Sequence, residues 1–84
     1  MEEEYLNATI RYKDKEIDIR FSKLLSLQKV KMLICLNNLD KALSIIPSNW
    51  HLEIQGKLLR IEQHQALKEY PLGDGDVLEV IINE

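Results

Sequence analysis

Residues 5–12 (YLNATIRY) alternate in character, with Leu6, Ala8, Ile10 and Tyr12 on one side and Tyr5, Asn7, Thr9 and Arg11 on the other. A period of two over that length predicts a strand with one buried face. Lys13-Asp14-Lys15 is polar, and residues 16–21 (EIDIRF) resume the alternation through Ile17, Ile19 and Phe21. Two alternating runs joined by a short polar turn predict an N-terminal β-hairpin. Ser26 suits the N-cap of a helix over about 27–39, where Lys, Gln, Leu and Met are good helix formers and Asn37-Asn38 weaken the end. Residues 40–49 hold a short apolar piece (Ala42, Leu43, Ile45, Ile46) closed by Pro47-Ser48-Asn49.

The second half returns to strands. Trp50–Gln55 places Leu52 and Ile54 on one face, Gly56-Lys57 is a turn, and Leu58–Ile61 reads as a short strand. Residues 62–73 form a crossing loop pinned by Leu67, Tyr70 and Leu72. Gly73-Asp74-Gly75-Asp76 is a turn, because Gly supplies positive φ and Asp bonds neighbouring amides. Val77–Ile82 is apolar on both faces, which suits a central strand. The order β-β-α-β-β-β is an α+β layout with one main helix packed across a mixed sheet. Its expected core is Leu6, Ile10, Ile17, Ile19, Val30, Ile34, Leu52, Ile54, Leu67, Leu78 and Val80.

The helix carries more apolar surface than one sheet requires. Leu27, Val30 and Ile34 form the stripe that would face the sheet, with Leu33 at its margin. Met32, Cys35, Leu36 and Leu39 form a second stripe, at i, i+3, i+4 and i+7, on roughly the opposite side. Either this stripe is a protein-binding surface, or Leu43, Ile45 and Ile46 fold back over it.

Composition narrows the possibilities. Within 84 residues, 45 % hydrophobic and 30 % charged, there is no internal repeat or Gly/Ser linker, so residues 1–84 are read as a single domain with Met1–Glu4 as a frayed acidic end. A chain of this size buries roughly 60–65 % of its unfolded surface, so its core is modest. A net charge of −3 leaves no cationic excess for a phosphate backbone, so nucleic acid is not an expected partner. No run approaches the length that spans a bilayer, and the acidic N-terminus lacks the build of a signal peptide, so the expected location is the cytoplasm. The lone Cys35 forms no internal disulfide, which fits a reducing compartment.

In order and spacing, Leu27-x-x-Val30-Lys31-x-x-Ile34, Leu52-x-Ile54-x-Gly56-Lys57-x-Leu59, Leu67 through Tyr70 and Gly73-Asp74-Gly75-Asp76-Val77-Leu78-Glu79-Val80 resemble ubiquitin-like (β-grasp) domains. The resemblance covers residues 5–82 and implies first and last strands lying parallel at the sheet centre. Within that superfamily the close Leu67-x-x-Tyr70-x-x-x-Asp74-Gly75-Asp76-x-Leu78 is most similar to the YukD/EsaB group, small cytoplasmic proteins that accompany bacterial type VII secretion. That likeness implies a non-enzymatic accessory or regulatory component, whose partner is a secretion membrane component or a second copy of the chain.

Several chemistries lack their residues. Conjugated ubiquitins and sulfur carriers work through a flexible Gly-Gly tail, whereas these residues close on Ile82-Asn83-Glu84, so no conjugation is expected. Two alternatives stay open: a carrier whose working tail lies outside these residues, or a ubiquitin-like domain of a larger protein. A cluster-binding β-grasp ferredoxin needs four cysteines. His51 and His64, separated by twelve residues, have no Cys or paired carboxylate at ligand spacing, so neither metal nor cofactor is expected. Cys35 has no neighbouring His, and the Gly-Asp-Gly-Asp run lacks the remaining oxygens of a calcium loop. Aligned on ubiquitin, Glu53 and Glu79 fall on the outward sheet face beside Ile81 and interrupt the apolar patch that ubiquitin receptors use.

Overall fold

A computed structural model describes residues 5–46, 48–56 and 60–83. Four strands, β1 (Tyr5–Tyr12), β2 (Lys15–Ser22), β3 (Trp50–Ile54) and β4 (Asp76–Ile82), form one mixed sheet in the order β2-β1-β4-β3. The first and last strands run parallel at the centre, with Thr9 opposite Val77 and Ile10 opposite Leu78. The hairpin forms as the alternation predicts, from Tyr5 opposite Ser22 to Tyr12 opposite Lys15. Lys13 takes the left-handed conformation that its two-residue turn needs (φ 57°).

Helix α1 (Leu27–Leu36) crosses one sheet face. Its N-cap is Ser26, whose hydroxyl accepts from the Lys29 amide at 3.2 Å. Leu27, Val30 and Ile34 are buried against Leu6, Ala8, Ile10, Phe21, Trp50, Leu52, Leu78 and Val80. The helix stops three residues earlier than expected. Asn37 caps it, with the side-chain amide donating to the Leu33 carbonyl, and Asn38 turns left-handed (φ 57°). A separate turn of helix, α2 (Leu39–Ala42), follows. A second left-handed residue, Ser44 (φ 60°), redirects the chain so that Leu43 and Ile45 enter the core.

Of the expected core, Leu6, Ile10, Val30, Ile34, Leu52, Leu67, Leu78 and Val80 are buried. Ile17, Ile19 and Ile54 pack against it half-buried, because among the described residues β2 and β3 are the outermost strands of the sheet and have no neighbour strand on one side. Phe21, Trp50, Ile61 and Leu72 join it. The crossing loop is pinned as expected: Leu67 is buried, and the Tyr70 hydroxyl accepts from the Glu62 amide and donates to Gln65 Oε1. The Gly73–Asp76 turn is held by its carboxylates. Asp76 accepts from the Gly73 amide, Asp74 accepts from the Asn7 amide, and Gly75 sits at φ 92°. Leu58 and Leu59 of the short strand expected at Leu58–Ile61, and Lys57 of its turn, lie outside the described residues, as do Met1–Glu4; Arg60 and Ile61 are in irregular structure.

The two sheet edges differ. Gln55 and Asn49 bond β4, so the backbone groups of Trp50, Leu52 and Ile54 face away from the sheet. Two of their carbonyls are occupied by side chains: Lys31 Nζ donates to Trp50 O at 2.6 Å, and Gln63 Nε2 donates to Leu52 O at 3.0 Å. Lys31 also donates to Ser48 O at 3.0 Å and lies 4.7 Å from the centre of the Trp50 ring. Among the described residues no hydrogen bond reaches the outer backbone groups of Glu16, Asp18 and Arg20 on β2.

Candidate functional site: the outer stripe of the helix

Met32, Cys35 and Leu36 share one face of α1 at i, i+3 and i+4 spacing, and all three are exposed, Met32 by 47 % and Leu36 by 78 %. Leu39, the fourth residue of the predicted stripe, is not with them. The helix ends before it, and from α2 it packs half-buried against the core. The segment that was the alternative cover does not lie over the stripe. Leu43 and Ile45 are spent in the core, and Ile46 is 92 % exposed. Nothing in α1 offsets its two lysines, since LQKVKMLICL contains no carboxylate. Lys31 is held against Trp50, whereas Lys29 is exposed one turn before Met32.

Cys35 is a poor nucleophile. Partial desolvation, reinforced by the Asp40 carboxylate and opposed by Lys31, pushes its thiol above the ordinary range. A reactive cysteine needs the opposite shift. Among the described residues no cluster of His, Cys, Asp and Glu is placed to hold a metal ion. His51 and His64 are not brought together as a pair. The His51 ring lies between Asn83 Oδ1 on Nδ1 and Glu53 Oε2 on Nε2.

The outward sheet face is polar. Glu53 stands directly opposite Glu79, and Ile81 opposite His51. Opposed carboxylates on adjacent strands repel, and here each has its own partner, His51 for Glu53 and the Gln55 amide for Glu79. Further along the face Arg11 pairs with Glu16 at 3.1 Å and Thr9 donates to Asp18 at 2.7 Å. This face offers no continuous apolar patch. Between α1, the β3 edge and residues 60–64 lies an open groove of about 650 Å³, lined by Gln28, Lys31, Trp50, Glu53, Arg60 and Gln63 among others.

Solved structures superpose on this arrangement of sheet and helix. A ubiquitin-like domain from Arabidopsis thaliana superposes with a TM-score of 0.69 at 13 % identity, over 96 % of this chain and 80 % of its own. The ubiquitin of Caldiarchaeum subterraneum gives 0.68 at 13 % identity, over 95 % of both chains. The fold is the ubiquitin-like β-grasp. A chain of a pParkin–pUb–UbcH7 complex gives 0.68 at 16 % identity, over 94 % of this chain and 23 % of its own. No protein-family profile and no curated protein sequence matches. Among the described residues no helix of this β-grasp domain is long and apolar enough to cross a membrane.

The sequence pattern grouped Met32, Cys35, Leu36 and Leu39 in one stripe and left its cover open; the structure leaves the first three exposed. The pattern missed the break after Leu36, for which Asn37-Asn38 was the available signal: Asn tolerates the left-handed conformation that ends a helix.

Proposed function

We propose that this protein is a non-enzymatic protein-binding module, and that Met32, Cys35 and Leu36 form its contact surface. The observation that carries this is the fate of Leu43 and Ile45. They enter the core, and the outer stripe of α1 is left without the cover that chain order makes available. Exposed Met and Leu gain nothing for folding, and Met adapts readily to a partner's surface. The finer reading is a cytoplasmic accessory of a type VII secretion system that docks on a membrane component. It is supported by the likeness of residues 67–78 to the YukD/EsaB group and by a fold built around a surface rather than a cavity with catalytic groups.

The test compares the tagged protein with a Met32→Glu, Leu36→Glu double variant in a Gram-positive cell carrying such a system. Leu39 is left intact because it is half-buried. A secretion component is expected to co-purify with the parent and to be lost from the variant, with the melting temperature nearly unchanged. Equal capture by both proteins, or a variant that unfolds, overturns the assignment.

A further inference from the structure

The β2 edge carries a pattern that the interaction surface on α1 does not use. A two-residue turn closes on a hydrogen-bonded pair, here Tyr12 and Lys15, so the odd residues of β2 bond β1. The Asn7 carbonyl, which accepts from Gly75 on the β4 side, confirms that parity. The amides and carbonyls of Glu16, Asp18 and Arg20 therefore point away from the sheet along the outermost strand. Unlike β3, this edge has no side chain seated on its carbonyls among the described residues. Ile17 and Ile19, on the inner face of the same strand, are only half-buried.

We infer that two copies of this chain pair antiparallel through β2, in the register that sets Ile19 against its own symmetry mate. The side chains select that register. With Ile19 at the two-fold axis, Asp18 faces Arg20 of the second copy, Arg20 faces Asp18, and Ile17 faces Phe21. One step to either side sets Asp18 against Asp18 or Arg20 against Arg20. Charged side chains normally keep sheet edges apart, but they do so by opposing like signs, and here one register opposes unlike ones. The central outward groups then meet as hydrogen-bonded pairs, because Asp18 and Arg20 both have outward backbone groups. Among the described residues Asp18 accepts the Thr9 hydroxyl alone, through Oδ1, and Arg20 stacks over the Tyr5 ring at 4.6 Å without an ion pair. The second copy also covers Ile17 and Ile19, which completes the burial that their alternation calls for.

Sedimentation equilibrium on the 84-residue chain is expected to show a monomer–dimer equilibrium. Arg20→Asp sets carboxylate against carboxylate at both symmetric positions and is expected to weaken association about tenfold or more. The swap Asp18→Arg with Arg20→Asp is expected to restore it. The register is read independently by cross-linking in a Cys35→Ser background. Ile19→Cys is expected to form an intermolecular disulfide on mild oxidation, since directly opposed residues meet the geometry of that bond. Ile17→Cys is expected not to, because it faces Phe21. Failure of the swap to restore the dimer, equal cross-linking at both positions, or a monomer up to millimolar concentration overturns the inference. So does a dimer abolished by Leu36→Glu and indifferent to Arg20→Asp, which assigns self-association to α1.

Discussion

Two alanine substitutions on the same helix test the division of α1 into a buried and an exposed stripe. Ile34 is fully buried, at 0 % exposure, and Leu36, two residues on, is 78 % exposed. Both changes leave a better helix former, so local propensity favours each variant slightly. Ile34→Ala removes buried aliphatic carbon from the core between helix and sheet and leaves a cavity, costing about 2–5 kcal/mol. At the usual stability per residue, an 84-residue domain has only ~4–13 kcal/mol in all. Ile34→Ala is therefore expected to remove about a sixth of the total at the least, and a far larger share at the upper end of its cost. Leu36→Ala exposes no new cavity and is expected to stay within about 0.5 kcal/mol of the parent. Urea denaturation of the three proteins, followed by helix signal and with slopes compared, measures both numbers. A loss below about 1 kcal/mol for Ile34→Ala, or above about 1 kcal/mol for Leu36→Ala, would refute the stripe assignment.

Further expectations follow from individual contacts. Ser26→Ala removes the acceptor for the Lys29 amide and is expected to cost about 1 kcal/mol; an unmoved denaturation midpoint contradicts the cap. Lys31→Met keeps the aliphatic stem but withdraws the ammonium from the Ser48 and Trp50 carbonyls, with an expected loss of about 1–3 kcal/mol and a shifted Trp50 emission. Unchanged emission and melting would show that the clamp is unimportant. Because the folded-state thiol of Cys35 is raised, less of it is thiolate at a given pH than in the unfolded chain. Its alkylation is expected to be slower in the native protein, with a pH profile displaced to the alkaline side, and the stability difference turns unfavourable to folding only as pH rises past the unfolded-state value. An alkylation profile displaced to the acid side would contradict this.

The hairpin, the helix cap and the central last strand were legible because each leaves a local mark: a period of two, a hydroxyl before a helical run, apolar residues on both faces. Ile17 and Ile19 show the limit of such marks. Alternation tells which face a residue joins but not whether a further strand lies beside it, and β2 proved to be outermost. Leu43 and Ile45 show another limit. Their direction depends on left-handed backbone at Asn38 and Ser44, and Ser44 carries no sequence signal for that conformation. Ile61 and Leu72 are buried from irregular segments, where no period exists to count. For the candidate surface, helical spacing made Met32, Cys35 and Leu36 legible as a second apolar stripe, but it left open whether the segment after the helix covers them. Leu39 was misplaced by a break one turn away.

The side chains of Lys31 and Gln63 on the β3 carbonyls bear on how far this molecule can be extended. Each copy offers one strand margin that can accept another and one that is stoppered. Joining through the accepting margin consumes it on both partners at once, and what remains at either end of the enlarged sheet is a stoppered strand. Growth by strand addition therefore terminates after a single step. A chain with two accepting margins would propagate without limit, toward fibres; under the proposed β2 pairing, a lysine and a glutamine confine this one to a closed pair.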